Sequence, residues 1–447
     1  MLKTNRRNML RAGATLGAGI ATGAVLTPAP LAAGSRKTQT SKWEHEYTFG
    51  HTILFMEEYH QGTMEILGRL SGELNHIGEL SSRAAQVIRN GGTVWNGITV
   101  GHMPRPETAE TRRGNPGIMK DQKKPDLFRK GDMLFTNQCS KEVQAARDRG
   151  VYVVSVTVNY INNEFRPEGF TNPNEDNLLL KDVSNEILHS HVPYYQGLVH
   201  APEIPEFTLF PSTTTGSGTL FWMLTAEIAQ KLADKTAKEV DKSAEYIRIV
   251  TERVERVREH MDRIREVAVI MARRIRAGGT WHVRSIEHPG LESELWGVEC
   301  GPMIVNQGDW DKAKEKNVML INAISPAYPD EIKLALEKQI EGAYVIGVGP
   351  GSLDGTIVPG RLIDVADAGF DNFSPESGGV ITIKGRNDTI CPTSGIMSNV
   401  IQQMIGAQWT DEMVRRGSVP YFFKGVCQIG GREHNNVMLP IFKKQGF

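Results

Sequence analysis

Apolar residues spaced three or four apart run from Ile53 through Met56, Met64, Leu67, Leu70 and Leu74 to Ile77. This spacing predicts two helices over residues 41–89, broken near Gly62 or Gly72. Gly91-Gly92 suits the end of the second helix. Short apolar runs then predict strands at 93–95, 133–136 and 151–158, with a helix over 143–149 and a fourth strand at 186–188. The 151–158 run is apolar almost throughout, as in a parallel strand buried on both faces. A hydroxyl-rich loop opens a helix over 217–232. Residues 234–276 are charged, with an apolar stripe through Tyr246, Val250, Val254, Val257, Met261 and Ile264, and read as one long connecting helix. Strands follow at 280–283, 318–321, 342–348 and 362–365, the last two separated by a glycine- and proline-rich loop over 349–360. A loop and closing helix are expected over 389–413. The tail, 428–447, has no strong period and reads as an arm over a neighbouring surface. Alternating strands and helices predict an α/β protein with doubly wound parallel sheets.

The pattern occurs twice. Glu79, Ala85, Ile88, Arg89, Gly91, Gly92 and Thr93 have identical partners 187 positions on, ending at Thr280. Met133-Leu134 matches Met319-Leu320, Gly150 to Val154 matches Gly342 to Ile346, and Pro211-Ser212-Thr213 matches Pro392-Thr393-Ser394. A period this long implies a duplicated domain rather than a solenoid. The expected organisation is a leader (1–33), a first copy with its N-terminal helices (41–233), a connecting helix (234–276), a second copy (277–427) and the arm (428–447).

Composition narrows the function classes. The 447 residues carry a net charge of −1, which gives no footing for nucleic acid or an anionic membrane. Four scattered cysteines form neither a disulfide scaffold nor a zinc motif. Near the start, Asn5-Arg6-Arg7-Asn8-Met9-Leu10-Arg11 precedes a Gly/Ala-rich apolar run and the small residues Ala32-Ala33. This order resembles a twin-arginine export signal cleaved after Ala33. It implies a periplasmic or secreted protein with no membrane span once mature.

The first copy also carries family motifs. Gly97-Ile98-Thr99-Val100-Gly101-His102, Ala109-Glu110 and Arg113-Gly114 resemble a loop of the SIS (sugar isomerase) domain family. Gly131-Asp132-Met133-Leu134 with Asn137-Gln138-Cys139-Ser140, His191-Val192-Pro193-Tyr194 and Pro211-Ser212-Thr213-Thr214 are similar to later motifs of the same family. The likeness covers residues 57–235, with the second half a more distant copy. It implies two flavodoxin-like three-layer domains that bind phosphosugars rather than nucleotides, and a homodimer, because such sites are often completed by a neighbouring chain.

Ligands of open parallel sheets sit beyond the carboxyl ends of the strands. Three loops lie there: 96–105, 137–141 and 211–217. The first supplies Gly97, Thr99, Gly101 and His102, with Glu110 and Arg113 following; the second supplies Asn137, Cys139, Ser140 and Lys141. Ser212, Thr213 and Thr214 precede a helix and suit either an anion or a helix cap. His191 and Tyr194 either line the pocket or brace the loop. Aldose–ketose isomerisation needs a base for the proton, an acid for ring opening and a cation for the enediolate. Glu110 is the expected base, with Glu107 the alternative; His102 assists, and Arg113 or Lys141 holds the charge.

The family's S-x-S-G phosphate loop is thinned to Asn137-Gln138-Cys139-Ser140, and the second copy has Ala323-Ile324-Ser325-Pro326. An unphosphorylated sugar derivative is therefore also open. A dinucleotide fold lacks its G-x-G-x-x-G here, a serine hydrolase its G-x-S-x-G, and no histidine pair has metal-ligand spacing. No cofactor or metal is expected. Two functions remain: an exported sugar isomerase-like enzyme, or a non-catalytic carbohydrate-derivative-binding protein.

Overall fold

In the computed structural model, residues 53–98, 107–122, 127–157, 178–193, 195–285, 294–295, 300–307, 310–376, 378–426 and 428–447 are described. The first apolar stripe folds as α1 (Phe55–Ser71), which buries Phe55, Tyr59, Leu67 and Leu70. The chain turns at Gly72 into α2 (Leu74–Arg89). Gly91 then takes φ 84°, a left-handed backbone that glycine adopts without a steric penalty. At Gly92 a Cβ would collide with the Gly131 carbonyl. These two constraints account for the Gly-Gly repeated in both halves: Gly278 sits at φ 89°, and a Cβ on Gly279 would strike the Lys316 carbonyl.

Five parallel strands follow: β1 (Val94–Gly97), β2 (Lys120–Asp121), β3 (Met133–Thr136), β4 (Tyr152–Val156) and β5 (Glu186–Leu188). Helices α3 (Lys141–Asp148) and α4 (Leu180–Val183) lie among them in the chain. The order across the sheet is β2-β1-β3-β4-β5. An antiparallel hairpin, β6 (Gly197–Val199) with β7 (Leu209–Pro211), leads through a π-helical turn, Thr214–Gly218, into α5 (Thr219–Ala233).

The second half repeats this plan. The stretch expected as one connecting helix is α6 (Asp241–Arg256), a 3-10 turn (Val257–His260) and α7 (Met261–Arg276). It is the counterpart of α1–α2, and begins the second copy. Strands β8 (Trp281–Ser285), β9 (Val305–Gln307), β10 (Val318–Asn322), β11 (Tyr344–Gly349) and β12 (Ala368–Asp371) form a second parallel five-stranded sheet in the order β12-β11-β10-β8-β9. Both sheets are thus edge strand, first strand, then third, fourth and fifth. Helices α8 (Pro329–Ile340), α9 (Leu362–Val365), α10 (Ser394–Arg415) and α11 (Gly431–Gln445) complete the chain.

Four expectations change. Residues 362–365 form a helix, and the strand lies at Ala368–Asp371. The tail is helical. The edge strands β2 and β9 and the β6–β7 hairpin were not foreseen. Sheet register pairs Val94 with Met133 and Trp281 with Val318, so Met133 corresponds to Val318 and not to Met319.

Buried apolar residues from both copies share one core, including Leu67, Met223, Val250, Met271 and Met404. The helices exchange partners within it: α5 packs on α2 and on α6, whereas α10 packs on α7 and on α1. The outer face of each sheet has its own smaller core. Trp95, Leu134, Val143 and Val153 lie under α3 and α4 in one; Met319, Ile321, Ala335 and Val345 lie under α8 and α9 in the other. Each half is therefore a three-layer αβα domain. Matching hydrogen bonds mark the equivalence. Buried Tyr59 donates to the Pro211 carbonyl at 2.9 Å, and buried Tyr246 to the Pro392 carbonyl at 2.9 Å.

Candidate functional site

Gly97 ends β1 where a Cβ would collide with Gln122, whose side chain accepts from Thr136 Oγ1 at 3.2 Å and donates to Gln138 at 2.9 Å. Asn137 is fully buried and donates Nδ2 to the Ile98 carbonyl at 2.6 Å. The buried Cys139 thiol donates to the Leu178 carbonyl at 3.2 Å. Ser140 Oγ accepts from the Val143 N–H at 3.4 Å and so caps α3. Lys141 begins that helix and is exposed. These groups hold the second loop in shape.

Glu110 is half-buried, with Oε1 2.8 Å from Lys120 Nζ at the edge strand. Arg113 is exposed. His191 lies apart from them, with Nε2 3.0 Å from Glu73 Oε1. Burial holds its pKa below the usual value, although Glu73 pulls the other way. Thr99, Gly101, His102 and Tyr194 lie outside the described residues.

Ser212, Thr213 and Thr214 are buried, and protein groups engage all three hydroxyls. Ser212 Oγ donates to the Gln196 carbonyl at 2.8 Å, and Thr213 Oγ1 to the Gln196 side chain at 3.1 Å. The Thr214 N–H donates to Glu294 Oε1 at 2.9 Å, and its hydroxyl donates to the same carboxylate. Glu294 is 6% exposed and comes from the first-strand loop of the second copy.

The reciprocal contact is made by Glu107, which is 5% exposed and comes from the first-strand loop of the first copy. Its Oε2 presses on Gly395 in the opening turn of α10, where any Cβ would collide with it. Arg112 Nε lies 3.6 Å from Glu107 Oε2, and Arg112 Nη2 donates to Ser394 Oγ at 3.2 Å. From the second copy, Glu376 accepts from the Thr393 N–H at 3.1 Å and from Arg253 Nη1 at 2.9 Å. Ser374 and Thr393 hydroxyls share a 2.7 Å hydrogen bond. The positive end of a 22-residue helix dipole thus faces two carboxylates, each with an arginine. Beneath it, Asn322 Nδ2 donates to Gln402 at 2.9 Å and to Ser285 at 3.1 Å, and Asn372 Nδ2 to Ser398 at 3.0 Å.

Backbone strain brackets both places. Phe210 and Cys391, the residues before the two prolines, both have φ 63°; His191 has φ 58° and Phe373 φ 54°. Non-glycine residues held there cost on the order of 1–3 kcal/mol each and are retained where the surroundings over-determine them. Burial raises the Cys391 thiol and the Tyr246 phenol well above their usual values, which keeps both protonated near neutrality. Neither is a ready nucleophile.

Sequence reasoning named Glu107 only as the alternative base and missed Arg253, Glu376, Thr393, Ser394 and Glu294. The signal was present: Glu107 and Glu294 stand 187 positions apart, the offset of the repeated Gly-Gly-Thr. Among the described residues no group of three or more metal-ligating side chains is close enough to hold an ion. No described helix is long and apolar enough to cross a membrane. A cavity of about 600 Å³ is an open groove at the opposite, amino-terminal end of the first sheet, beside Arg83, Gly92 and Gly131.

Taken alone, the fold defines an α/β protein with two parallel sheets of flavodoxin-like order, as in SIS domains. No protein-family model matches the chain. Among curated proteins it is similar to a UPF0309 protein of Shouchella clausii, 23% identical over 137 residues, which are 30% of this chain and 56% of that one. The chain therefore spans about half the length of that relative. Its structural neighbours include proteins provisionally named phosphosugar isomerases. One from Silicibacter pomeroyi, provisionally named a phosphosugar isomerase, has TM-score 0.47 and 13% identity, covering 82% of this chain and 99% of that chain. Another so named, from Clostridium difficile, has TM-score 0.44 and 13% identity, covering 82% and 96%. The C-terminal domain of glucosamine-fructose-6-phosphate aminotransferase from Francisella tularensis has TM-score 0.44 and 9% identity, covering 83% and 98%. These are likenesses of fold at low overlap, and no activity follows from them.

Proposed function

We propose that this is an exported sugar isomerase-like protein that acts on a sugar derivative by enediolate-type proton transfer, at a site where the two copies meet. One observation carries the reading. The first-strand loop of the first copy places a buried glutamate and arginine at the start of the closing helix of the second copy, beyond the carboxyl ends of the strands. Glu107 fits the base better than Glu110, which is half-exposed and paired to Lys120 at the sheet edge. Arg112 is then the cation beside the developing enediolate. His102 stays the proposed partner for ring opening, and a homodimer and twin-arginine export stay part of the proposal.

The test is proton exchange. The mature protein is incubated in D2O with aldoses, ketoses and amino sugars, with and without phosphate, and the carbon next to the carbonyl is followed by NMR. Deuterium uptake that Glu107→Gln removes supports the enzyme. Saturable binding with no exchange supports the second reading, a non-catalytic sugar-derivative-binding protein. That reading has an observation of its own: the Ser212, Thr213 and Thr214 hydroxyls are all engaged within the protein.

A further inference from the structure

A phosphate group bound to an open α/β sheet ordinarily sits on the free N–H groups that start a helix, where the dipole favours negative charge. Among the described residues, four helices of eight or more residues start beyond the carboxyl ends of the two sheets' strands: α3, α5, α8 and α10. In this protein the chain itself engages each start, with a buried carboxylate from the opposite copy at two of them.

At α5 the occupant is the Glu294 carboxylate, bonded to the N–H and hydroxyl of Thr214. At α10 it is Glu107, and residue 395 is a glycine that leaves room for its carboxylate. Glu376 takes the Thr393 N–H next to it. At α3 the Ser140 hydroxyl takes the Val143 N–H. At α8 Pro329 has no N–H to offer, and Asp330 and Glu331 follow in the first turn. The two closing-helix carboxylates are equivalent under the duplication, and each crosses from the opposite copy. Such a pair is an arrangement of the whole fold and not an accident of one loop.

We infer that Glu294 and Glu107 are specificity-determining residues that close both anion positions, so the ligand is a non-phosphorylated sugar. A dianion at either helix start would lie against a fixed buried carboxylate. A neutral or amino sugar meets no such repulsion and finds an acceptor instead. This deepens the proposed function and rests on it for the word sugar, but exclusion of phosphate stands on the geometry alone.

The experiment is calorimetric titration of the mature protein with inorganic phosphate, glucose 6-phosphate and glucosamine, repeated on Glu294→Ala and Glu294→Gln. The wild type is expected to show no phosphate binding at millimolar concentration, and the variants to gain at least about tenfold affinity for inorganic phosphate. Gly395→Ala, which crowds Glu107 off its helix, tests the other position the same way. Wild-type binding of inorganic phosphate below about 1 mM, unaltered by these changes, would overturn the inference. So would folded variants that gain nothing, folding being read from the thermal transition. If Glu294→Ala does not fold, the isosteric Glu294→Gln and the wild-type titration still decide it. Because no turnover is measured, absence of isomerase activity leaves this result intact.

Discussion

The two crossing contacts are built alike and have diverged in charge. Where the first copy's loop meets α10, Glu107 has Arg112 beside it, and Glu376 and Arg253 lie close by. Where the second copy's loop meets α5, Glu294 binds Thr214, and the residue 187 positions beyond Arg112 is Glu299. The helix face over the second sheet is also more polar at one position: Gln402 of α10 answers to Phe221 of α5. Duplication kept the frame, with its Tyr–Pro bonds, Gly-Gly turns and strand order, while the paired arginines gathered at one crossing. The copy that reads as eroded in sequence supplies the helix, and the copy with the family motifs supplies the loop. A site made this way belongs to neither copy alone.

The sharpest way to break this comparison is to neutralise both carboxylates separately. Glu107→Gln is expected to lower turnover by a factor of about 100 or more, the usual share of a positioned general base. Glu294→Gln is expected to cost less than about tenfold. Equal losses in kcat would mean that the two crossings do the same work.

Stability tests ask how far the frame is still symmetric. Gly279→Ala forces a methyl group into the Lys316 carbonyl, and Gly92→Ala forces one into that of Gly131. Each is expected to cost on the order of 1–3 kcal/mol in urea unfolding, Gly279→Ala the more because its clash is closer. Tyr59→Phe and Tyr246→Phe each leave a buried proline carbonyl without its donor. Both are expected to cost about 1–2 kcal/mol, and by amounts within about 0.5 kcal/mol of each other. A large inequality would show that the shared core is held mainly from one side.

Much of this frame was legible in the chain. Strands β1, β3, β4, β10 and β11 announce themselves as buried apolar runs, and the Gly-Gly-Thr repeat marks a turn that only glycine fits. The two-residue β2 is wholly exposed and has no period to read. Leu362 to Val365 has the composition of a strand and is too short to show a helical repeat. The last helix contains Pro440, and its apolar residues Met438, Leu439, Ile441 and Phe442 are only partly buried and confined to its second half, too short a run to show a helical period. The crossing contacts were hidden for another reason. Arg112 and Ser394 are 282 residues apart, and nothing local in either segment requires the other. Only the offset of the duplication, applied to Glu107, pointed to Glu294.

The smallest expected effect concerns acid. His60, on α1 of the first copy, is buried, and its Nε2 lies 3.0 Å from the Val254 carbonyl on α6 of the second. Burial lowers its pKa, against smaller upward pulls from that carbonyl and from Glu255. Residue 247, its counterpart, is isoleucine, so the strain of protonation falls on one side only. The folded pKa lies below the unfolded value of about 6.5, so the unfolded chain binds the proton more readily. The contribution is fully present above that value and is lost as pH falls through the folded pKa. His191 and His434 are also lowered by burial and add to the same slope. The urea midpoint is therefore expected to fall between pH 7.5 and 5.5, and to fall less in His60→Gln. An unchanged slope in that variant would remove His60 from the account and leave the two halves equally tolerant of acid at their shared core.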